Sequence, residues 1–349
     1  MTTGYYIKAA GFALCLSVPL MCPLGAAIGT YWLCPLLFFV VLPLAGRLMG
    51  GDPTAYYPAM RPARAMRIYF DVLPYLYLPI WLGSFCWTAS KLSAGDMTPL
   101  AMGGAALSLG IASAVSTCVA HEIMHRTGRF DQAYTRVMIA LCGYGHLMLE
   151  HSAHHAHVGD LAVGGTPRRG ETAFSFVWRD GQQGLRNAIG IETQRLYNRH
   201  LSAWRSHIVQ NYALAGVMLA CFTWQWGIAG SALFIYQAGF SVFAVQMITY
   251  IQHYGLARSS GEPIAAGHSW ADNCVIANAL TLNNNHHSQH HMEPRTPYYH
   301  LRTHQDAPRL PASYMMMFVV ALLPPLWRLL MDKRLTRHEQ RIMEKAAIV

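Results

Sequence analysis

Nine histidines beyond residue 120 have the spacing of metal ligands. The first 120 residues contain no histidine, and all 18 histidines of the 349-residue chain follow them. In HEIMHR two histidines are four residues apart, and in EHSAHH and HSQHH three follow i, i+3, i+4 spacing, which places each group on one face of a helix. A further histidine lies in QHYGL. These residues are His121, His125, His151, His154, His155, His253, His287, His290 and His291.

The number of these imidazoles indicates more than one metal ion. Eight or nine nitrogen ligands are too many for one tetrahedral zinc ion, which takes four. A nitrogen-rich site with open positions is compatible with iron, which has the redox chemistry that zinc lacks. Glu122 and Glu150 each adjoin one of the histidines, and we expect them to accept hydrogen bonds from ring N–H groups and to offset the metal charge. The sequence therefore predicts a site for two iron ions.

Other readings of these motifs are possible. HExxH alone is also the motif of zinc metalloproteases, with Glu122 as general base, but it leaves both HxxHH groups unexplained. A single histidine such as His253 is ordinarily a hydrogen-bonded residue at a helix end. We leave His268 unassigned. We interpret the remaining histidines as surface residues, supports of the ligands or lipid-headgroup contacts: His146, His157, His200, His207, His286, His300, His304 and His338.

The elements that position these residues are mostly membrane helices. The chain is 53% hydrophobic and only 12% charged, against about a quarter charged in soluble proteins. Residues 9–46, 72–90, 97–120 and 208–252 contain no Asp, Glu, Lys or Arg. A span needs about 20 apolar residues, so the first and last runs suffice for two spans each. Breaks are expected where helix-stopping residues occur, near Pro23, Gly25 and Gly29 and near Gly227 and Gly230.

The fold class predicted is thus all-α and integral to the membrane, with six transmembrane helices and a histidine-rich cytoplasmic domain. Residues 5–27 are expected to be a retained helix rather than a signal peptide. Basic residues between spans two and three place that loop in the cytoplasm, together with all nine histidines, most simply at a bacterial inner membrane. These residues are Arg47, Arg61, Arg64 and Arg67. The predicted division is 1–120 (four spans), 121–209 (first two histidine groups), 210–253 (two spans) and 254–349 (third group and a membrane-associated C-terminal helix).

Three further features complete the prediction. Residues 137–149 are too short to cross and are expected at the interface or against the bundle, and residues 310–327 are interrupted by Pro324 and Pro325. The eight cysteines form no CxxC pair and are expected to be small buried residues. The net charge of +9 is explained by positive-inside topology, and no patch suited to nucleic acid is visible.

The residues resemble those of the integral-membrane alkane and xylene monooxygenases, within the membrane desaturase and hydroxylase superfamily. The resemblance covers about residues 100–335 and is strongest over residues 267–302, from GHSWADN through HHSQHH to YYHLR. HYGL at His253 and the closing PPLWRLLMDKR are similar as well. The resemblance implies that all nine histidines, His253 included, are iron ligands. It also implies a reaction in which O₂ hydroxylates an unactivated C–H bond of a hydrophobic substrate.

The sequence departs from the family at three positions of the site. The second histidine group reads HxxHH, as in desaturases, where alkane hydroxylases usually have HxxxHH. Gln252 replaces the usual Glu before the HYG histidine, and Gln289 replaces the Asp of the third group. These differences indicate a divergent branch and loosen the assignment to one substrate.

The resemblance also implies an external electron supply. The chain has no flavin or nicotinamide fingerprint and no cysteine cluster for iron–sulfur, so we expect a rubredoxin- or ferredoxin-type donor, with its reductase, at the basic cytoplasmic face. Two competing functions are a fatty-acyl desaturase or decarboxylase with the same irons, and a metal carrier without catalysis. Aromatic residues within the spans could line a substrate cavity, although each is more simply a lipid contact, and no pocket residue is assigned. These are Trp32, Trp81, Phe85, Trp87 and Trp224.

Overall fold

The computed structural model describes residues 3–51, 62–163, 165–259 and 261–346. Within these ranges the chain is helical, with two isolated bridges and no β-strand, which confirms the all-α prediction. The helices are α1 (Thr3–Gly11), α2 (Ser17–Ala27), α3 (Leu33–Leu36), α4 (Leu42–Met49), α5 (Arg64–Val72), α6 (Tyr77–Ser93), α7 (Pro99–Met124), α8 (Arg129–Leu141), α9 (Leu147–His157), α10 (Ala173–Asn198), α11 (His207–His253), α12 (Val275–Leu280), α13 (His287–Met292), α14 (Tyr314–Ala321) and α15 (Pro324–Ala346).

Three helical segments are long and apolar enough to cross a membrane. They are Tyr6–Ala27, in which α1 and α2 join through a 3₁₀ turn, Pro99–Met124, and His207–His253. Leu33–Met49 is a shorter apolar helix, in which a π-helical turn connects α3 and α4. These helices have the composition of a membrane protein. Arg61, one of the arginines used to predict orientation, lies outside the described residues.

Helix α11 is a hairpin of two helical arms. Gly227 has non-helical backbone angles, with φ 58° and ψ −145°. The rings of Phe222 and Phe234 lie 5.6 Å apart, whereas twelve residues of straight helix would separate them by about 18 Å. The chain therefore reverses at the glycine where the sequence predicts a break. As a result, His207 and His253, at the two ends of α11, lie on the same side of the bundle.

Both shorter apolar segments pack against the bundle. Residues 137–149 end α8, turn, and begin α9, and Met138 is fully buried. Residues 310–327 form α14 and the first turn of α15. Pro324 is the first residue of α15, where its missing N–H costs no helical hydrogen bond. Trp327 in that turn is fully buried. The segment packs by its aromatic and methionine side chains against the second arm of α11.

The turn between α8 and α9 depends on Gly143, and this gives a test of the fold. Gly143 has φ 66°, and a Cβ there would lie 2.6 Å from the Cβ of Ala238. We expect Gly143→Ala to lower the unfolding free energy by about 2–4 kcal/mol, through backbone strain and overpacking together. Gly170→Ala is the control, because Gly170 has φ 79° but nothing within 4 Å of its Cβ position. Thermal unfolding in detergent should show the larger loss for Gly143→Ala, and equal losses would contradict the packing argument.

Candidate metal centre

Four helix segments bring the nine histidines to one place. His121 lies in the last turn of α7, and His125 caps that helix. Three histidines lie along one face of α9, three on the short α13, and His253 is the last residue of α11. The predicted division after residue 120 thus falls inside α7, so the end of a long apolar helix directly carries the first two of these histidines. The rigidity of α7 and α11 fixes three of the nine imidazoles.

The imidazoles form two groups, and within each group one ring nitrogen of every residue lies within 4.8 Å of the others. In the larger group, Nε2 of His151 lies 3.0 Å from Nε2 of His125 and 2.9 Å from Nε2 of His155. Two ligands at right angles on a metal with bonds of about 2.1 Å are about 3.0 Å apart, so this spacing suits a shared ion. The larger group comprises His121, His125, His151, His155 and His290, and the smaller His154, His253, His287 and His291.

The hydrogen bonding of these rings fits a metal better than a protein-only arrangement. Buried polar atoms in proteins almost always have a partner. Both ring nitrogens of His287 and of His291, and Nε2 of His253, are buried without a hydrogen bond to any described residue. In a neutral imidazole one ring nitrogen carries a proton and the other has the lone pair that can bind a metal ion, so each of these rings can supply one ligand. The residues present therefore fit the metal site that the sequence predicts.

The protonation state of the histidines is also that of metal ligands. Burial lowers the pKa of His155 to about 3 and that of His125 to about 4. The rings are therefore neutral at physiological pH, and neutral imidazole is the form that binds metals. Burial, reinforced in most cases by neighbouring histidines, likewise lowers the pKa of His151, His154, His287, His290 and His291 well below the usual value.

The ring of His253 is oriented by a backbone carbonyl. Nδ1 of His253 donates to the carbonyl oxygen of His268 at 2.9 Å. This hydrogen bond places the ring proton on Nδ1 and leaves the lone pair of Nε2 directed at the smaller group. The contribution of His268 to the site is thus its main chain. Histidine motifs give no signal for such a carbonyl, and the sequence leaves His268 unassigned.

The two carboxylates predicted to support the ligands have different surroundings. Glu122 lies 3.4 Å from Arg126, which makes it half of an ion pair. Glu150 accepts a hydrogen bond from Nε2 of Gln246 at 2.9 Å and lies 3.4 Å from Nε2 of His146. Burial raises the pKa of Glu150 to about 8, with a further contribution from Asp180. Both carboxylates thus lie beside helical turns that carry histidines of the two groups, and their hydrogen-bond partners include Arg126 for Glu122 and Gln246 for Glu150.

A buried polar network holds the third histidine group. Nε2 of His286 accepts from the amide of Asn278, and Nδ1 of His286 lies 3.0 Å from the hydroxyl of Thr303. Asp272 accepts from the amide of Asn285 and from the backbone N–H of Tyr314. These residues connect α12, α13 and α14. The histidine spacing does not point to this network, although Asp272 belongs to the HSWAD segment that carries the resemblance.

His286 provides a test of this network. We expect His286→Ala to lower the unfolding free energy by about 2–4 kcal/mol, because it leaves two buried partners unsatisfied. His304→Ala is the matched control, since His304 is exposed beside Asp306. Thermal unfolding, followed with the iron content of the purified protein, measures both variants. Equal stability of the two variants would show that His286 does not hold α13.

An apolar cavity extends from the histidines into the bundle. The volume of the cavity is about 140 Å³. At one end it contacts His121, His151, His154 and His287, from both groups. Elsewhere its wall comes mainly from the π-helical turn, α7, α11 and α14. The side chains of this wall include Phe38, Phe39, Ile111, Ala114, Cys118, Phe240, Ala244, Ile248, Met315 and Phe318.

The large aromatic residues considered from the sequence are not in this wall. Trp81 and Phe85 are buried in the core, where Phe85 packs on Phe222 at 4.5 Å. Trp224 is 87% exposed, and the indole of Trp32 donates to the carbonyl of Leu100. The wall is formed by phenylalanine, aliphatic and methionine side chains instead. The sequence shows no periodicity that would distinguish these wall residues from side chains that face lipid.

Comparison of the sequence with known proteins shows the family to which this chain belongs. The family model described as fatty acid desaturase matches residues 97–321. The chain therefore belongs to the fatty acid desaturase family. More particularly, it is 31% identical over 311 residues to alkane 1-monooxygenase 1 of Pseudomonas aeruginosa, covering 86% of this chain and 81% of that protein. It is 30% identical over 280 residues to the xylene/toluene monooxygenase hydroxylase component of Pseudomonas putida, covering 78% and 75%. Like these relatives the chain is a monooxygenase-type oxidoreductase, and it is a divergent member of their group.

Proposed function

We propose that this chain is a non-haem di-iron monooxygenase that hydroxylates a terminal methyl or other unactivated C–H bond of a hydrophobic substrate. The observation that carries the proposal is the apolar cavity that ends at both histidine groups. A cavity of this character accepts an alkyl chain or methyl-aromatic and excludes water from the reacting carbon. The names of the relatives, alkane and xylene monooxygenases, support the same substrate classes.

The arrangement in the membrane forms part of the proposal. Six transmembrane segments, with both arms of α11 counted, would place the ends of α7 and α11 on one side. We assign that side to the cytoplasm of a bacterial inner membrane, since Arg47 lies in the last turn of α4 and Arg64 and Arg67 lie in α5, which connects α4 to α6. The substrate would then enter from the hydrocarbon phase, and the irons would lie at the cytoplasmic rim.

Different residues of the chain have different roles in the proposed reaction. The nine histidines would hold two iron ions, which supply the oxidising power for the C–H bond. The phenylalanine-rich wall holds the substrate chain with its end at the histidines. The carbonyl of His268 keeps the ring of His253 in the metal-binding tautomer. The overall reaction converts C–H and O₂ to C–OH and water, and it consumes two electrons and two protons.

The electrons require a partner. The eight cysteines are unpaired, and none belongs to either metal-binding group found among the described residues. We propose a rubredoxin- or ferredoxin-type donor, itself reduced by a reductase, that docks on the cytoplasmic face. Because the chain carries a net charge of +9, an acidic donor would associate faster at low than at high ionic strength.

The reaction is tested with isotopically labelled oxygen. The purified protein, reconstituted with lipid and given a reductant and ¹⁸O₂, is incubated separately with linear alkanes, fatty-acyl compounds and methyl-aromatics. We expect an alcohol containing ¹⁸O from at least one class. The same protein stripped of iron by a chelator is the control and should give no product. Unlabelled alcohol, or no oxidised product from any class, would contradict the proposal.

A second candidate function uses the same site. The HxxHH spacing of the second histidine group is that of desaturases, which favours desaturation or decarboxylation of a fatty-acyl chain. Such a reaction would remove hydrogen from the substrate and leave no oxygen atom in it. An alkene without ¹⁸O, formed from the fatty-acyl substrate, would therefore replace the hydroxylase assignment.

A further inference from the structure

Helix α10 runs between the two ends of the α11 hairpin. At its beginning, the backbone N–H of Gly170 donates to the hydroxyl of Tyr254, and the hydroxyl of Tyr250 donates to the carbonyl of Glu171. Towards its end, the carboxylate of Glu192 accepts from the backbone N–H of His207. Both ends of the hairpin lie on one side of the bundle. A helix of 26 residues, about 39 Å long, therefore lies along the rim where α11 leaves the membrane.

One face of α10 belongs to the protein core. Phe176, Asp180, Gly184, Ala188 and Glu192 recur every four residues, and all five are buried. Steps of four residues follow a row that is inclined to the helix axis. The inward face of α10 is thus fully accounted for by packing on α9 and α11.

A second stripe is apolar and faces outward. Phe174, Trp178, Leu185, Ile189 and Leu196 are spaced by four, seven, four and seven residues, which keeps them on one line along the helix. Phe174 is 52% exposed, Trp178 74% and Ile189 49%, while Leu185 and Leu196 are partly buried. An apolar line of this length is not stabilised in water. Something other than water must cover it.

We propose that this apolar stripe lies in the membrane interface, so that α10 is an in-plane amphipathic helix seated on the headgroup and acyl boundary. The position along the rim of α11 brings the stripe to the level of the bilayer surface. Trp and Phe are the residues that favour this region. Trp204, 80% exposed in the turn between α10 and α11, extends the same aromatic surface towards the membrane.

The charges beside the stripe indicate the kind of lipid. Arg186, Arg199 and Arg205 are exposed on or just beyond α10. Arginine side chains at a membrane surface bind anionic headgroups. A soluble acidic electron donor would also be attracted by arginines, but it would not require a continuous apolar line that includes an exposed tryptophan. The stripe therefore favours an anionic phospholipid surface over a protein partner.

The lipid contact would stabilise the metal centre through α10. Asp180 on the inward face accepts from the backbone N–H of Gly165. A Cβ at Gly165 would lie 2.6 Å from Nδ1 of His154, and one at Gly184 would lie 2.6 Å from the carboxyl carbon of Glu150. Helix α10 thus closes the side of α9 that carries the second histidine group. Anchoring α10 in the lipid would keep this wall in place.

Photo-crosslinking tests the proposal without reference to activity or bound iron. The full chain carries p-benzoylphenylalanine in place of Trp178, and it is reconstituted in nanodiscs of phosphatidylcholine with phosphatidylglycerol. Gln194 is the matched control position, because it is exposed on the same helix but away from the apolar stripe. After illumination, mass spectrometry measures peptide–lipid adducts. We expect about five times more adduct at position 178 than at 194, with phosphatidylglycerol over-represented about twofold.

Each other outcome rejects the proposal. Equal adduct at positions 178 and 194, or none at 178, would show that the stripe does not face lipid. If illumination of native membranes gives an adduct between position 178 and another polypeptide instead, the stripe is a protein docking surface. The same substitution at Phe174 provides a second position on the stripe if the variant at Trp178 is not monodisperse.

Discussion

Alanine in place of His290 or His287 is expected to remove one iron and essentially all activity. His290 belongs to the larger histidine group and His287 to the smaller, so each change opens one proposed metal position. The purified variants should contain about one iron per chain where the unaltered protein contains two. Activity should fall at least about 1,000-fold in both, because members of one catalytic unit cannot substitute for one another.

The control for these variants is a histidine whose main chain, rather than its ring, serves the site. His268→Ala keeps the carbonyl that accepts from Nδ1 of His253. We expect this variant to retain both irons and activity within about threefold of the unaltered protein, because the ring of His268 belongs to neither histidine group. Elemental analysis and product assays measure all three proteins together. Two irons and full activity in His290→Ala or His287→Ala would contradict the assignment of both groups.

The histidine groups could be predicted from sequence because their geometry is local. Spacing of i, i+3, i+4 places side chains on one face of any helix, whatever surrounds it. The two segments HSAHH and HSQHH therefore already specify three imidazoles on one helix face each. The spacing does not predict that the nine histidines divide into groups of five and four. It depends on how α13 packs, since His290 joins the larger group while His287 and His291 join the smaller.

The hydrogen bonds that support the site are harder to predict from the sequence because they join residues far apart in the chain. Nothing in the sequence near His253 indicates that a carbonyl fifteen residues later orients its ring. Gln289, noted as a departure from the family, accepts from the backbone N–H of Arg302 and so holds the loop after α13. A glutamine reaches this N–H without placing a charge beside the ligand His290. The departure is thus compatible with an intact metal site.

The sequence predicts the apolar helices because hydropathy detects them directly. Uncharged runs locate apolar helices, and the glycine at 227 marks the reversal of α11. Helix α10 gave no such signal. The apolar residues of its outward stripe are spaced by four and seven residues, with polar side chains between them. Its buried face contains Asp180 and Glu192, and these charged residues lower the average hydropathy of the helix. Charged residues on the inner face can be recognised only once their partners are known.

The depth of the cavity along α7 gives a prediction about substrate length. Ile111, Ala114, Cys118 and His121 all contact the cavity and recur on one face of α7. Ala114 lies seven residues before His121, about 10 Å along the helix. A phenylalanine at position 114 would fill the cavity at that depth, while the region next to the histidines stays open. Short substrates would still reach the irons, but long ones would not.

We therefore expect Ala114→Phe to shift the substrate range towards shorter chains. Relative to the unaltered protein, kcat/KM for substrates longer than this depth should fall at least about tenfold more than for short ones, which corresponds to about 1.4 kcal/mol. Ala213→Phe is the matched control, since Ala213 is exposed on α11 away from the cavity, and it should leave the chain-length profile unchanged. A uniform loss at all chain lengths would indicate damage to the fold. An unchanged profile in Ala114→Phe would mean that substrates do not extend along α7.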